Sequence, residues 1–176
     1  MKIVGIDASL ISTGVAVYED VAFSESHKTI DTYAIEPKET GVKRLCFIRK
    51  AIADIISNSD LIVLENYAFA RANQAHQIGE LGGVLRMLFH ENNIPYIVVS
   101  PGQVKKFATD KGNATKEKIA VACYKHWGAE FSTNDEADAY VLMRIGMALK
   151  GIGVDKLTGY QKEIIKAINK GGKQGK

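Results

Sequence analysis

Four carboxylates in this chain stand where ordinary folding has little use for charge. Asp7 ends the apolar run Lys2-Ile3-Val4-Gly5-Ile6-Asp7, and Glu65 ends a second, Leu61-Ile62-Val63-Leu64-Glu65. Asp135 and Asp138 open the segment Asp135-Glu136-Ala137-Asp138, which leads into a long apolar stretch. Acids brought together in a core repel one another and raise each other's pKa, so such a group calls for a cation. A divalent metal answers that need, and paired metals suit phosphodiester cleavage. Each acid taken singly has a plainer reading. An Asp at a helix start complements the dipole, and Glu65 alone would pass for a solvated strand end. The ordered set of strand Asp, strand Glu and helical Asp-x-x-Asp is the specific signal.

The elements that must position these acids follow from the pattern of apolar residues. Residues 2–7, 13–19 and 28–35 read as three strands of an antiparallel meander. Residues 40–58 have helical periodicity, with Val42, Leu45, Ile48, Ile52, Ile55 and Ile56 on one stripe. Leu61–Glu65 is a short buried strand, 73–92 a helix, and 96–99 a strand after Ile94-Pro95. Residues 115–127 and 134–150 are further helices, the first capped by Thr115 or Asn113. This succession predicts a mixed α/β sheet with the first strand central and Leu61–Glu65 parallel beside it. Ligands of open α/β sheets collect at the carboxyl ends of strands, where Asp7 and Glu65 both lie. Asp135 and Asp138, three apart, share a helix face that Leu142, Ile145 and Leu149 continue toward the sheet.

The chain has 176 residues and is 46% hydrophobic, which suits one domain with one core. The N-terminus reads as a strand and not as a signal peptide. No apolar run reaches the roughly 18–20 residues of a membrane span. The expected location is therefore the cytoplasm. Cys46 and Cys123 lie far apart without metal spacing and read as buried, reduced thiols. His27, His76, His90 and His126 form no metal spacing either. Residues 1–100 hold 9 Lys and Arg against 12 Asp and Glu, whereas residues 101–176 hold 14 against 8. A basic half beside an acidic cluster suits a polyanionic substrate. Lys105, Lys106, Lys111, Lys116 and Lys118 cluster, and Lys170, Lys173 and Lys176 form a basic end. Gly79, Gly82 and Gly83 interrupt the helix 73–92, where a glycine costs about 1 kcal/mol relative to Ala. Close approach of another backbone is a compensating reason.

As an ordered set these motifs resemble the RuvC family of Holliday junction resolvases, within the RNase H-like superfamily. Gly5-Ile6-Asp7 with Thr13-Gly14 is similar to that family's first motif, and Leu64-Glu65 with Phe69 to its second. Pro101, Gln103-Val104-Lys105 and Thr115-Lys116-Glu117 resemble its basic segment. Asp135-Glu136-Ala137-Asp138-Ala139 resembles its final acidic motif. The likeness covers about residues 1–150. Ala8-Ser9 stand where the family often has Pro-Gly, a departure that marks a phage-type or divergent member.

The resemblance implies an RNase H-like fold, a central mixed five-stranded sheet flanked by helices. It implies a nuclease domain over residues 1–150, followed at 151–176 by a C-terminal helix and basic tail. It implies an endonuclease that cuts branched DNA, leaving 5′-phosphate and 3′-hydroxyl ends. Asp7, Glu65, Asp135 and Asp138 would then hold two Mg²⁺ ions, which Mn²⁺ would replace. Lys105 and Lys116 match positions that hold phosphates, and Lys118 lies beside them. Tyr67, Phe69 and Arg71 alternate past Glu65 and would meet unstacked bases at a branch point; packing of Phe69 on its own core is the alternative. The family dimerises through the glycine-rich region, so a homodimer is expected, although a contact within one subunit explains the glycines almost as well. A nuclease acting on another nucleic acid and a non-catalytic branched-DNA-binding protein remain open at this point.

Overall fold

Side chains alternate along β1, Lys2–Asp7, sending Ile3 to one face of a sheet and Val4 and Ile6 to the other. The protein is described by a computed structural model over residues 1–20, 28–66 and 75–171. β1 pairs antiparallel with β2, Thr13–Asp20, and parallel with β4, Leu61–Glu65. β2 pairs antiparallel with β3, Lys28–Ile35, and β4 pairs parallel with β5, Tyr96–Val99. The strand order is β3-β2-β1-β4-β5, with β1 at the centre as expected.

Each face of the sheet buries its own apolar cluster. Val4, Ile6, Ile62 and Leu64 meet α1, Gly41–Ile56, and α2, Ala75–Glu91. Ile3, Leu61, Val63 and Val99 meet α3, Pro101–Thr109, α4, Lys116–Trp127, α5, Asn134–Leu149, and α6, Gly159–Gly171. α5 lies against the middle of this face and is buried from Glu136 to Met143. Gly5 of β1 makes that approach possible: a Cβ there would stand 2.2 Å from the Ala139 carbonyl oxygen.

Three local expectations differ from the structure. Residues 101–109 carry the basic segment but form a helix of their own. Its start is a capping box in which Ser100 Oγ accepts from the Gln103 amide and the Ser100 amide donates to Gln103 Oε1. Pro101 occupies the first helical turn. Cys46 is exposed, not buried, because it lies two residues from buried Ile48, about 200° around α1. Val42 is 74% exposed, because the buried stripe of α1 begins only with partly buried Leu45 and Ile48. Cys123 is buried as expected, and neither cysteine forms a disulfide. Among the described residues no helix is long and apolar enough to cross a membrane.

Candidate active site

Strand register brings the first two acids together. Ile6 pairs with Leu64 across the parallel β1–β4 ladder, so the next residues, Asp7 and Glu65, leave the two strands side by side. Period-two alternation aims both at the α5 face, the face shared by Ile3 and Val63. Their side chains stand close enough to hydrogen-bond, which two carboxyl groups can do only if one carries a proton. Burial raises the Asp7 pKa, helped by the Asp135 charge, against the lowering effects of the Glu65 hydrogen bond and Lys116. Burial, then the charge and hydrogen bond of Asp7, push Glu65 up to about 10.

The other two acids arrive on the first turns of α5. Thr133 caps that helix by accepting from the Glu136 amide at 3.2 Å, and Glu136 Oε2 accepts from the Ser132 amide at 3.1 Å. Glu136 is thereby committed to the cap. Asp138, 8% exposed, faces the sheet. Burial and then the Asp7 charge push its pKa up to about 7.

Gly14 sets how near α5 comes. It pairs with Asp7 across β1–β2, and a Cβ on it would stand 2.0 Å from the Asp135 carbonyl oxygen. The turn leading to Gly14 is closed by buried Thr13, whose Oγ1 donates to the Ser9 carbonyl at 2.6 Å and accepts from the Ser9 amide at 3.1 Å. Gly14→Ala must therefore push the α5 start away from Asp7. We expect it to destabilise the protein by at least about 1–3 kcal/mol, the usual cost of overpacking. Gly102→Ala, whose Cβ meets only the Gly112 carbonyl oxygen at 4.0 Å, should stay within about 1 kcal/mol of the parent. Urea denaturation of the two variants makes the comparison. Equal stability would show that the α5 start yields without cost.

The sequence-selected lysines divide into two groups. Lys116, the first residue of α4, puts its Nζ 2.9 Å from Asp135 Oδ1 and 3.9 Å from Asp138 Oδ2. Partial burial lowers its pKa, but the hydrogen bond to Asp135 and the charges of Asp135, Asp138 and Asp7 outweigh that and raise it. Lys105 of α3 lies near enough to lower the Asp138 pKa. Lys118 is two residues beyond Lys116 and so points elsewhere around the helix. It lines a groove of about 410 Å³ with Thr109, Val121, Lys125 and Tyr160. Tyr67, Phe69 and Arg71 fall outside the described residues. Ser9, Thr13, Gly14 and Glu136 enter the sequence reading only as members of motifs, with no role of their own, although Thr133-x-x-Glu136 is a capping-box pattern that marks the α5 start.

The donors are carboxylate oxygens alone, which suit a hard divalent ion such as Mg²⁺ or Mn²⁺. Their raised pKa values express first the burial of charge and then mutual repulsion, both of which such an ion would offset. Among the described residues, however, no three His, Cys, Asp or Glu side chains are grouped so as to hold a metal ion. A proton on Glu65, whose pKa is pushed up to about 10, and the Lys116 ammonium beside Asp135 and Asp138 offset the charge of the acids. The cluster fits a divalent ion in charge and donor chemistry, provided that proton and ammonium give way.

Comparison with known proteins bears on the family and the fold. A family model described as crossover junction endodeoxyribonuclease RuvC matches residues 3–143. The RuvC protein of Carboxydothermus hydrogenoformans is 28% identical over 158 residues, covering 86% of this chain and 98% of that protein. That of Caldicellulosiruptor saccharolyticus is 32% identical over 124 residues, 68% of this chain and 74% of the relative. The solved structure of Thermus thermophilus RuvC superposes with a TM-score of 0.68 at 22% identity, covering 86% of this chain and 97% of that one. The same Thermus protein in complex with Holliday junction substrate gives a TM-score of 0.66 at 19% identity, covering 81% and 90%. The five-stranded mixed sheet with its flanking helices is an RNase H-like fold.

Proposed function

The chain belongs to the RuvC family of crossover junction endodeoxyribonucleases, and on that premise we propose that it resolves Holliday junctions at the Asp7–Glu65–Asp135–Asp138 cluster. The observation that carries this reading is that two strand acids leave neighbouring strands side by side, close enough to a buried helical acid for their charges to raise one another's pKa, with two lysines nearby. The four acids would hold two Mg²⁺ ions, which when bound supply charge stabilisation at phosphorus and an acidified water for in-line attack. The products are 5′-phosphate and 3′-hydroxyl ends.

The chain's own residues prepare that chemistry. Glu65 must give up its proton for the two strand acids to act as full anions. Lys116, once released from Asp135 and Asp138, carries a free ammonium to a DNA phosphate. Lys105, near enough to lower the Asp138 pKa, holds a neighbouring phosphate. The Thr133 cap and Gly14 keep the α5 acids in place throughout, so little reorganisation is needed. Tyr67, Phe69 and Arg71 follow Glu65 directly in sequence and remain our assignment for contacts to bases at the branch point. A DNA substrate puts the protein in the cytoplasm.

The test is incubation with Mg²⁺ and a labelled four-way junction, beside duplex, fork, flap and RNA–DNA hybrid controls. Symmetric incision of the junction with ligatable ends is expected. Preferential cutting of the hybrid would replace this reading with that of another RNase H-like nuclease.

Two-fold symmetry in the substrate calls for two active sites, and α2 offers a surface for pairing. A Cβ on Gly79 or Gly83, four residues apart, would meet nothing within 4 Å. Met87, one turn further on, is 62% exposed. Among the described residues these two glycines therefore answer to no contact, whereas Gly82 is buried. Light scattering should give about twice the 19.2 kDa chain mass. Gly83→Leu should lower that mass and uncouple the two nicks. A monomer that still makes paired incisions in a cruciform plasmid would refute the dimer.

A further inference from the structure

Arg144 lies on α5 six residues beyond Asp138, about 9 Å further along the helix. Its guanidinium sits over the rings of Trp127 and Tyr140, 5.4 Å and 5.0 Å from their centroids. Its Nε and Nη2 both donate to the Tyr140 hydroxyl, and Nη1 faces Met147 Sδ at 3.8 Å, a weak acceptor. The fork is thus fixed in orientation with donors of Nη1 and Nη2 left over. Among the described residues no carboxylate lies within ion-pair distance of it.

That guanidinium lines a recess of about 100 Å³ between α3, α4, α5 and α6. Lys156 and His126 line it too, while Phe107, Trp127 and Leu157 supply apolar walls. No Asp or Glu is among its lining residues. His126 Nε2 is already engaged with the Tyr160 hydroxyl at 3.0 Å. A partly buried cation without a counter-charge is costly unless an anion joins it. Guanidinium geometry matches the paired oxygens of phosphate, and Lys adds a second positive charge at the same recess. The volume is several times the roughly 10–15 Å³ that one water needs, which suits a small polyatomic ion and not a duplex backbone.

We infer that this recess binds a small tetrahedral oxyanion, phosphate or a terminal phosphate monoester, through Arg144 and Lys156. The site is separate from the carboxylate cluster and independent of the nuclease reading. Its residues Arg144 and Lys156 also lie beyond the segment that the family model matches.

Isothermal titration calorimetry with inorganic phosphate at constant ionic strength, chloride replacing phosphate in the control, tests the inference. One saturable site is expected in phosphate and none in chloride. Arg144→Met should weaken it by at least about tenfold, and Lys156→Met by a smaller factor, as charge-assisted hydrogen bonds are lost. Because Arg144→Met also strips two rings of their cation, thermal melting accompanies it, and exposed Lys156 provides the variant that keeps the fold. Lys116→Ala, at the acidic cluster, should leave phosphate affinity unchanged. A 5′-phosphorylated oligonucleotide competing with phosphate where its 5′-hydroxyl twin does not would assign the site to DNA ends; competition by neither would assign it to the free ion. Absence of saturable binding, or binding lost with Lys116→Ala but kept in both recess variants, would overturn the proposal.

Discussion

Asp7→Asn or Asp138→Asn should slow junction cleavage by more than about 10³-fold, a loss of roughly 4 kcal/mol or more from transition-state stabilisation. Each change removes one charge from the acidic cluster and keeps the shape of the side chain. Lys105 and Lys116 stay in place, so junction affinity should fall only a few-fold or rise. Neither variant should unfold, since each relieves repulsion: Asp138 raises the pKa of Glu65, and Asp7 raises those of Glu65 and Asp138. Single-turnover cleavage at saturating enzyme gives the rate, and fluorescence anisotropy in Ca²⁺ gives the affinity. Mn²⁺ should support turnover, and EDTA should stop it. An Asp7→Asn protein that cuts at the parent rate would remove the cluster from the chemistry.

Mg²⁺ should raise the melting temperature, and by more at high pH than at low. Without metal Asp138 holds its proton up to about 7, against an ordinary value of 3.8. A group whose folded pKa is raised contributes stability that is complete below its unfolded pKa and is lost as pH rises through the folded one. Asp138 therefore costs stability between about pH 4 and pH 7. Glu65 acts with the same sign, up to about 10. Mg²⁺ binds the charged forms, so its contribution must grow over the same interval. At a hundred times its Kd a ligand adds about 2.7 kcal/mol. Melting curves at about pH 5.5 and pH 8, with and without Mg²⁺, show the trend. Asp138→Asn should melt higher than the parent at the upper pH without metal, and should gain less from Mg²⁺. A Mg²⁺ shift of equal size at both pH values, unchanged in Asp138→Asn, would mean that the ion binds elsewhere.

Local spacing carried much of this protein's design. The apolar runs in Lys2–Asp7 and Leu61–Glu65 predict two strands, each ending in an acid, and both exist with those bounds. The three-residue step from Asp135 to Asp138 places both on one helix, and Asp138 is buried at the face that meets the sheet. Local spacing does not reveal α3, because Gly102 and Lys105-Lys106 interrupt any apolar stripe after the Ser100–Gln103 box. Nearness in sequence also groups Lys116 with Lys118, although a two-residue step on a helix separates them.

What local spacing does not contain is the distance between elements remote in sequence. Asp7 and Glu65 are 58 positions apart, and only the pairing of Ile6 with Leu64 makes them neighbours. Gly14 and Gly83 look alike in sequence. One has the Asp135 carbonyl where its Cβ would be, and the other has open space. Lys116 reads as a surface cation until α4 is docked beside α5, where it becomes the counter-charge of Asp135 and Asp138. Periodicity records which way a side chain faces, because that depends on the backbone repeat of its own element. Which atoms it then meets is decided by how sheet and helices pack, since close-packed interiors leave each backbone one position against its neighbours.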